Sequence, residues 1–432
     1  MPRTAGQNVV PGRYCGRMSR YRLTPSEAQE AALLGHCAHA RYVWNLCVEQ
    51  ESHWRPGRGP MPTFAGRCRQ LSDARAENPW LAAGSVIVQQ QAIRDHAQAM
   101  KVFFAGTRRR PSWRKAGRDE GFRVVQVKPW HVRRLSRKTG EVWIPKAGWV
   151  RFRWSRAVPD SVKSFRVTWN RAGRWHVAFA AVPDPVPAPG NGEIVGIDRG
   201  VAVSAALSTG QLLHCPGLAA PQQRRLRRLE RKLARAARGS HRRARVRRAA
   251  ARLHARGADI RKDWCEKTST DIARRFDVIR VEDLNIRHMT RCAKGSIEHP
   301  GRNVRQKAGL NREIMRSGWG LLVRRLTDKA PGRVEKVRPA YTSQRCLACG
   351  HIAAGSRESQ ALFRCVACGY SCNADVNAAR NIAAGHAVTA RGGVRDAGPV
   401  NREPQPVLLP AVWEQVGIPR RQAEEDVNYR RT

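Results

Sequence analysis

Cys346, Cys349, Cys365 and Cys368 follow the spacing Cys-x2-Cys-x15-Cys-x2-Cys. A two-residue gap brings each pair of sulfurs onto one tight turn, a knuckle. Gly350 and Gly369 follow the pairs, where such turns favour a residue without a side chain. Four thiolates from two knuckles close a tetrahedron around one zinc ion and leave no open position. The spacing therefore predicts a structural, non-catalytic zinc ribbon over 341–372. The other eight cysteines (Cys15, Cys37, Cys47, Cys68, Cys215, Cys265, Cys292 and Cys372) are scattered without pairing rhythm. That usage reads as a reducing, cytosolic compartment rather than a disulfide scaffold.

Charge bounds the partner. Lys+Arg total 80 against 34 Asp+Glu, a formal charge of +46 on 432 residues. A compact body with that charge repels itself in isolation, so the expected partner is a long polyanion. Nucleic acid fits; an anionic membrane finds no support. No apolar stretch reaches the roughly 18–20 residues of a spanning helix. The N-terminus, Met-Pro-Arg-Thr-Ala-Gly-Gln, has no apolar segment of the signal-peptide kind.

Along the chain, 13–24 reads as a short strand. Thr24-Pro25-Ser26-Glu27 has the form of a helix start, with Thr24 as cap. Leu33, Leu34, Cys37, Ala40, Val43, Trp44 and Cys47 then recur at helical spacing. A second helix, roughly 85–105, is expected to carry Val86, Gln90, Ile93, Ala97, Met100 and Phe104 on one face. From 120 to 182 the period falls to two, with strands beginning at Phe122, Glu141, Trp149, Ser164 and Trp175. Together with 13–24 they predict a small antiparallel barrel split by a helical insertion. Pro and Gly crowd 183–192, a linker by composition. Beyond it come a hairpin (Ile194–Asp198, then Val201–Leu207) and an Arg-rich helical stretch, 221–275, broken at Gly239-Ser240. A buried strand at 278–282, one helix over 311–329 and a strand at Val334–Val337 follow. The last residues, with Gly392-Gly393 and three prolines, read as a tail without fixed structure.

Three carboxylates stand out in so basic a chain. Asp198 ends a predicted strand before Arg199-Gly200, Glu282 ends another, and Asp375 heads a helix just after the cysteines. Each alone has a plain reading: a hairpin cap, a strand-end cap, an acid favoured by the helix dipole. Glu282 and Asp283 are adjacent on extended backbone, so only one of them faces a common centre. Together, the three are a set of hard oxygen ligands suited to magnesium. A pair of magnesium ions about 3.5–4 Å apart is the usual device for hydrolysing a phosphodiester.

The motifs resemble those of the TnpB family of transposon-encoded proteins and its relatives, the miniature type V CRISPR effector nucleases. Arg22-Leu23-Thr24-Pro25 and Ala38-His39-Ala40-Arg41-Tyr42-Val43-Trp44-Asn45 are similar to the family's N-terminal segment. Phe103-Phe104 and Pro145-Lys146-Ala147-Gly148-Trp149-Val150 resemble its barrel region. Gly196-Ile197-Asp198-Arg199-Gly200, Val281-Glu282-Asp283-Leu284-Asn285-Ile286, Gly318-Trp319-Gly320 and Tyr341-Thr342-Ser343-Gln344 resemble its RuvC-like signature, as do the knuckles and Asp375 to Ile382. Arg199, where an aliphatic residue is common, and Cys372-Asn373 depart from the pattern without removing a ligand.

The resemblance implies an α+β multidomain chain. A wedge β-barrel (1–23 and 116–185) carries a helical recognition insertion (24–115). An RNase H-like (RuvC) nuclease domain (193–340 and 373–385) carries the inserted zinc ribbon (341–372), and a tail occupies 386–432. It implies an RNA-guided DNA endonuclease that binds a guide RNA as monomer or dimer, recognises a short adjacent motif in double-stranded DNA and cuts with one site. Asp198, Glu282 and Asp375 become catalytic magnesium ligands, and Cys346, Cys349, Cys365 and Cys368 the zinc ligands. The chain is then cytoplasmic, and nucleoid-associated when on DNA.

Among nucleic-acid contacts, Arg224, Arg225, Arg228, Arg242 and Arg243 lie in a stretch nearly free of acids, so internal ion pairs do not account for them. They are expected to track duplex phosphates. Gln90 matches a place where the family reads its adjacent motif; the alternative is an exposed helical Gln without a role. Trp143, Trp149, Trp154, Trp169 and Trp175 read mainly as core, with base stacking open to a few. The competing readings are a CRISPR-linked effector of the same architecture, a guided DNA binder acting as a repressor, a strand-transferring transposase, and a zinc-ribbon RNA-binding protein without catalysis.

Overall fold

The computed structural model describes residues 19–54, 57, 59–118, 120–159, 162–180 and 184–385. Residues 13–18 of the first expected strand and the tail at 386–432 lie outside the described residues.

The chain begins with β1 (Ser19–Arg22) and α1 (Glu27–Ser52). Ser26, not Thr24, caps α1: its hydroxyl accepts from Gln29 N at 3.3 Å and Gln29 Oε1 accepts from Ser26 N at 3.0 Å, a reciprocal capping box. Thr24 instead donates to Arg151 O. Two elements that hydrophobic periodicity did not mark follow, α2 (Phe64–Glu77) and α3 (Pro79–Ala83).

In α4 (Val86–Phe104) the residues placed on one face by their spacing are not buried together. Val88, Gln89, Gln91, Ala92, Ile93 and His96 are buried, while Val86 and Phe104 are exposed and Gln90 half-buried. Gln89 and one nitrogen of His96 find partners inside. Gln89 Nε2 donates to Leu81 O at 2.8 Å, Arg75 donates to Gln89 Oε1, and Arg67 lies against His96 Nδ1.

The region read as a barrel is built of two antiparallel sheets. The first sheet takes β1 with β2 (Gly121–Val125), β6 (Ser164–Trp169) and β7 (Trp175–Ala180), in the order β1-β7-β6-β2. The second is β3 (Val132–Arg134), β4 (Thr139–Ile144) and β5 (Gly148–Arg153). A bridge between Leu23 and Phe152 links the two edges. Tyr21, Phe122, Phe152, Phe165 and Phe179 share one apolar core with Leu33, Cys37 and Val43 of α1 and Ile93 of α4.

A five-stranded sheet follows: β8 (Ile194–Asp198), β9 (Ala205–Leu207), β10 (Leu212–Leu213), β11 (Val278–Glu282) and β12 (Val334–Val337). Its order is β10-β9-β8-β11-β12, with β11 parallel to both β8 and β12 and β9 antiparallel to β8. Between β10 and β11 run α5 (Ala220–Arg235) and the long α6 (His241–Arg275). Between β11 and β12 lie α7 (Ile286–Met289), α8 (Val304–Ser317) and α9 (Trp319–Lys329). The single helix expected over 311–329 is broken at Gly318, whose φ of 76° is open to glycine and ends α8. Ile197, Ile279 and Val281 pack against Ile272, Leu322 and Leu326 in a second core.

The cysteine segment adds a hairpin, β13 (Leu362–Arg364) and β14 (Ser371–Asn373), and leads into α10 (Ala374–Ala383). No helix among the described residues is long and apolar enough to cross a membrane.

Candidate active site and metal centre

Parallel pairing sets Val281 beside Ile197, so Glu282 and Asp198 leave the sheet at the same end of neighbouring strands. The third acid arrives on α10, which packs on β8. A Cβ on Gly196 would lie 2.0 Å from Ala379 O and 2.4 Å from Ala383 N, so only glycine lets the helix settle there. Asn373 caps that helix, accepting from Asp375 N at 3.0 Å and Val376 N at 3.1 Å. The departure at Cys372-Asn373 thus supplies a good N-cap.

Asp198 feels the other two acids. Burial, then the Glu282 charge, then the Asp375 charge push the Asp198 carboxyl up to about 7. Burial also raises Glu282, opposed by a hydrogen bond from Thr342 and by the Arg199 charge. Thr342 Oγ1 stands 2.6 Å from Glu282 Oε1. Arg199 is buried and donates to the Glu282 carbonyl oxygen. Arg357, from the segment between the knuckles, pairs with Asp375 Oδ1 at 3.1 Å. Asp283 turns away to Lys336 Nζ at 2.6 Å.

Burial and two neighbouring acids disfavour the Asp198 charge, which a bound cation would stabilise, so the oxygen donor set fits magnesium in chemistry. Its geometry is looser than that of the cysteines. The four sulfur ligand atoms lie within 4.8 Å of one another, and among the described residues no other set of three or more His, Cys, Asp or Glu is gathered so closely.

Cys346 and Cys368 sulfurs are 3.7 Å apart and those of Cys349 and Cys365 3.6 Å. Zinc–sulfur bonds of about 2.3 Å in a tetrahedron place sulfurs about 3.8 Å apart, so the cluster fits one zinc ion. Phe363 and Ala374 pack beside Cys346 and Cys365 in a small core.

The other candidates lie away from the acids in sequence and in role. Arg224, Arg225, Arg228 and Arg242 are exposed on the α5–α6 hairpin and pair with no carboxylate among the described residues. Arg243 differs: its Nη1 donates to Leu233 O and Ala236 O, both at 2.6 Å, closing the end of α5. Gln90 stands half-buried on α4. Of the tryptophans, Trp175 is buried, whereas Trp143 is 39% exposed and meets Trp149 edge-on across the β4–β5 pair. Arg133 covers the Trp149 ring.

Sequence reasoning missed Thr342 and Arg357. Thr342 lies within Tyr341-Thr342-Ser343-Gln344, but a neutral hydroxyl is not itself a sign of a metal or catalytic site. Arg357 was one basic residue among 80.

Comparison with known proteins adds three family matches: "Probable transposase" over 176–293, "Cas12f1-like, TNB domain" over 319–382, and "Helix-turn-helix domain" over 17–59. A relative from Escherichia coli (strain K12), "Putative RNA-guided DNA endonuclease InsQ", is 36% identical over 90% of this chain and 97% of its own. A "Putative RNA-guided DNA endonuclease" from Streptomyces pristinaespiralis is 30% identical over 88% of this chain and 92% of its own. Among solved structures, a Cas12f1 in complex with sgRNA and target DNA superposes with a TM-score of 0.52 at 14% identity, covering 82% of each chain. That likeness is one of fold.

Proposed function

The chain belongs to the IS605 OrfB/TnpB family, and from that premise we propose that it is an RNA-guided DNA endonuclease of the TnpB type. It binds a guide RNA, recognises a short adjacent motif in duplex DNA, and hydrolyses phosphodiester bonds at Asp198, Glu282 and Asp375. The observation that supports this reading most is the approach of Glu282 and Asp375 to Asp198 from remote parts of the chain. Two of the acids end adjacent parallel strands, and the third rides on a helix docked over Gly196, close enough that the charges of Glu282 and Asp375 raise Asp198.

The sheet order, with one antiparallel neighbour and one parallel neighbour beside β8, supports an RNase H-like nuclease domain. The two smaller sheets and α1–α4 serve as wedge and recognition insertion, and the cysteine hairpin as a zinc ribbon.

The side chains divide the work. Asp198, Glu282 and Asp375 bind magnesium through oxygen. When bound, magnesium activates water and neutralises charge on the reacting phosphate. Burial of Glu282 and Asp375 keeps bulk water from screening these groups. Arg357 holds Asp375 in place and offers its remaining N–H groups to a phosphate. Arg224, Arg225, Arg228 and Arg242 hold the guide–target duplex by its backbone. Cys346, Cys349, Cys365 and Cys368 hold zinc, which keeps Arg357 and the start of α10 in register.

The test is to purify the chain with its bound nucleic acid and sequence that RNA. A discrete RNA should co-purify, and a plasmid matching its variable 3′ end should be cut only with that RNA and magnesium. Cleavage indifferent to the RNA, or protein that carries none and cuts nothing, contradicts the proposal.

A further inference from the structure

We infer that Thr342 is a positioning residue for Glu282, tying the two sides of the candidate cation site together; this rests on the magnesium-site reading above. The Thr342 hydroxyl has one proton and two acceptors in reach, Glu282 Oε1 at 2.6 Å and Pro339 O at 3.2 Å. The nearer acceptor is a carboxylate, which draws the stronger hydrogen bond. Both residues are buried, Thr342 at 4% and Glu282 at 8% exposure, so solvent does not replace the contact. With Oε1 engaged, rotation of the carboxylate is restrained and its other oxygen stays available to a cation.

The backbone of Thr342 completes the tie. Its carbonyl accepts from Asn381 Nδ2 at 3.0 Å, on the helix that carries Asp375. The same amide nitrogen reaches Arg345 O at 2.8 Å, next to the first zinc knuckle. Asn377, one turn earlier, donates to Arg345 O at 2.8 Å and accepts from Leu347 N at 3.2 Å. One residue therefore touches Glu282 by its side chain and the Asp375 helix by its main chain. The segment entering the cysteine module is stapled to that helix. Outer-shell partners of metal-binding carboxylates orient the ligand and tune its affinity.

The test is manganese binding to the RNA-free full chain, followed by titration calorimetry and by the EPR signal of free Mn2+. Zinc content is measured alongside. Thr342→Val keeps the side-chain shape and removes the hydroxyl; it should bind Mn2+ about tenfold more weakly with zinc content unchanged. Thr342→Ser should restore wild-type binding. Thr342→Ala, free of the added methyl, should weaken binding as Val does, which guards against misfolding of the Val variant. Wild-type affinity in both Val and Ala variants, or failure of Ser to restore it, overturns the inference. A wild-type chain without a saturable Mn2+ site abolished by Asp198→Ala overturns the cation-site reading itself.

Discussion

Gly196 and Ala379 are in such close contact that a methyl group on the glycine would sit 2.0 Å from the alanine carbonyl oxygen. The glycine therefore sets how near α10 approaches β8, and with it the place of Asp375. Gly196→Ala must push the helix away or strain the strand. The expected loss is about 1–3 kcal/mol of stability, the usual cost of overpacking. Cleavage should fall much further than guide-RNA binding. Melting and cleavage of the variant check this; unchanged cleavage contradicts it.

Asp198 gives a dependence on pH in the cation-free protein. Its carboxyl is ordinarily half-protonated near 3.8 but is held at about 7 in the fold. Between these values the folded chain keeps a proton that the unfolded chain has released. Stability from this group is therefore present at low pH and lost as pH rises through about 7. At about 1.36 kcal/mol per pH unit the penalty is at most about 4 kcal/mol. With no magnesium or manganese added and no chelator, Asp198→Asn should melt above wild type at pH 8 and near it at pH 4. An equal gap at both pH values contradicts this.

The cysteine cluster should hold one zinc ion per chain by elemental analysis. Removing it by chelation, or by Cys365→Ser, should free Arg357 from Asp375 and loosen the Asn377 staple. Cleavage should fall in excess magnesium and return only when zinc is restored to the chelated wild type. Recovery by magnesium alone contradicts a structural role.

The α5–α6 hairpin yields a salt effect. Replacing Arg224, Arg225, Arg228 and Arg242 with Ala removes four exposed charges. If each meets a phosphate, the log–log salt slope for binding a guide–target duplex shrinks by about 3–4. Arg243→Ala should instead lower stability, since it uncaps α5. A quadruple variant with the wild-type slope contradicts the assignment.

Strands were the most legible part of this fold. Ser164–Trp169, Trp175–Ala180 and Val278–Glu282 fall where alternation or an apolar run placed them. The helices α2 and α3 escaped because each buries little, Leu71 with Arg67 in one and Leu81 in the other. The inward face of α4 escaped because Gln89, Gln91 and His96 are buried polar groups, which hydrophobic periodicity counts as outward. At the site, the acids and cysteines were legible because their chemistry demands those residue types. Thr342 and Arg357 were not, because their roles arise only when segments 60 and 18 residues from their partners fold together.

The proposal that Asp198, beside Glu282 and Asp375, holds a catalytic cation is tested most directly by removing that one carboxylate. Purified Asp198→Ala protein, loaded with guide RNA and given matching plasmid in magnesium, should bind the DNA as wild type does and leave it uncut. Cutting at the wild-type rate would contradict the account.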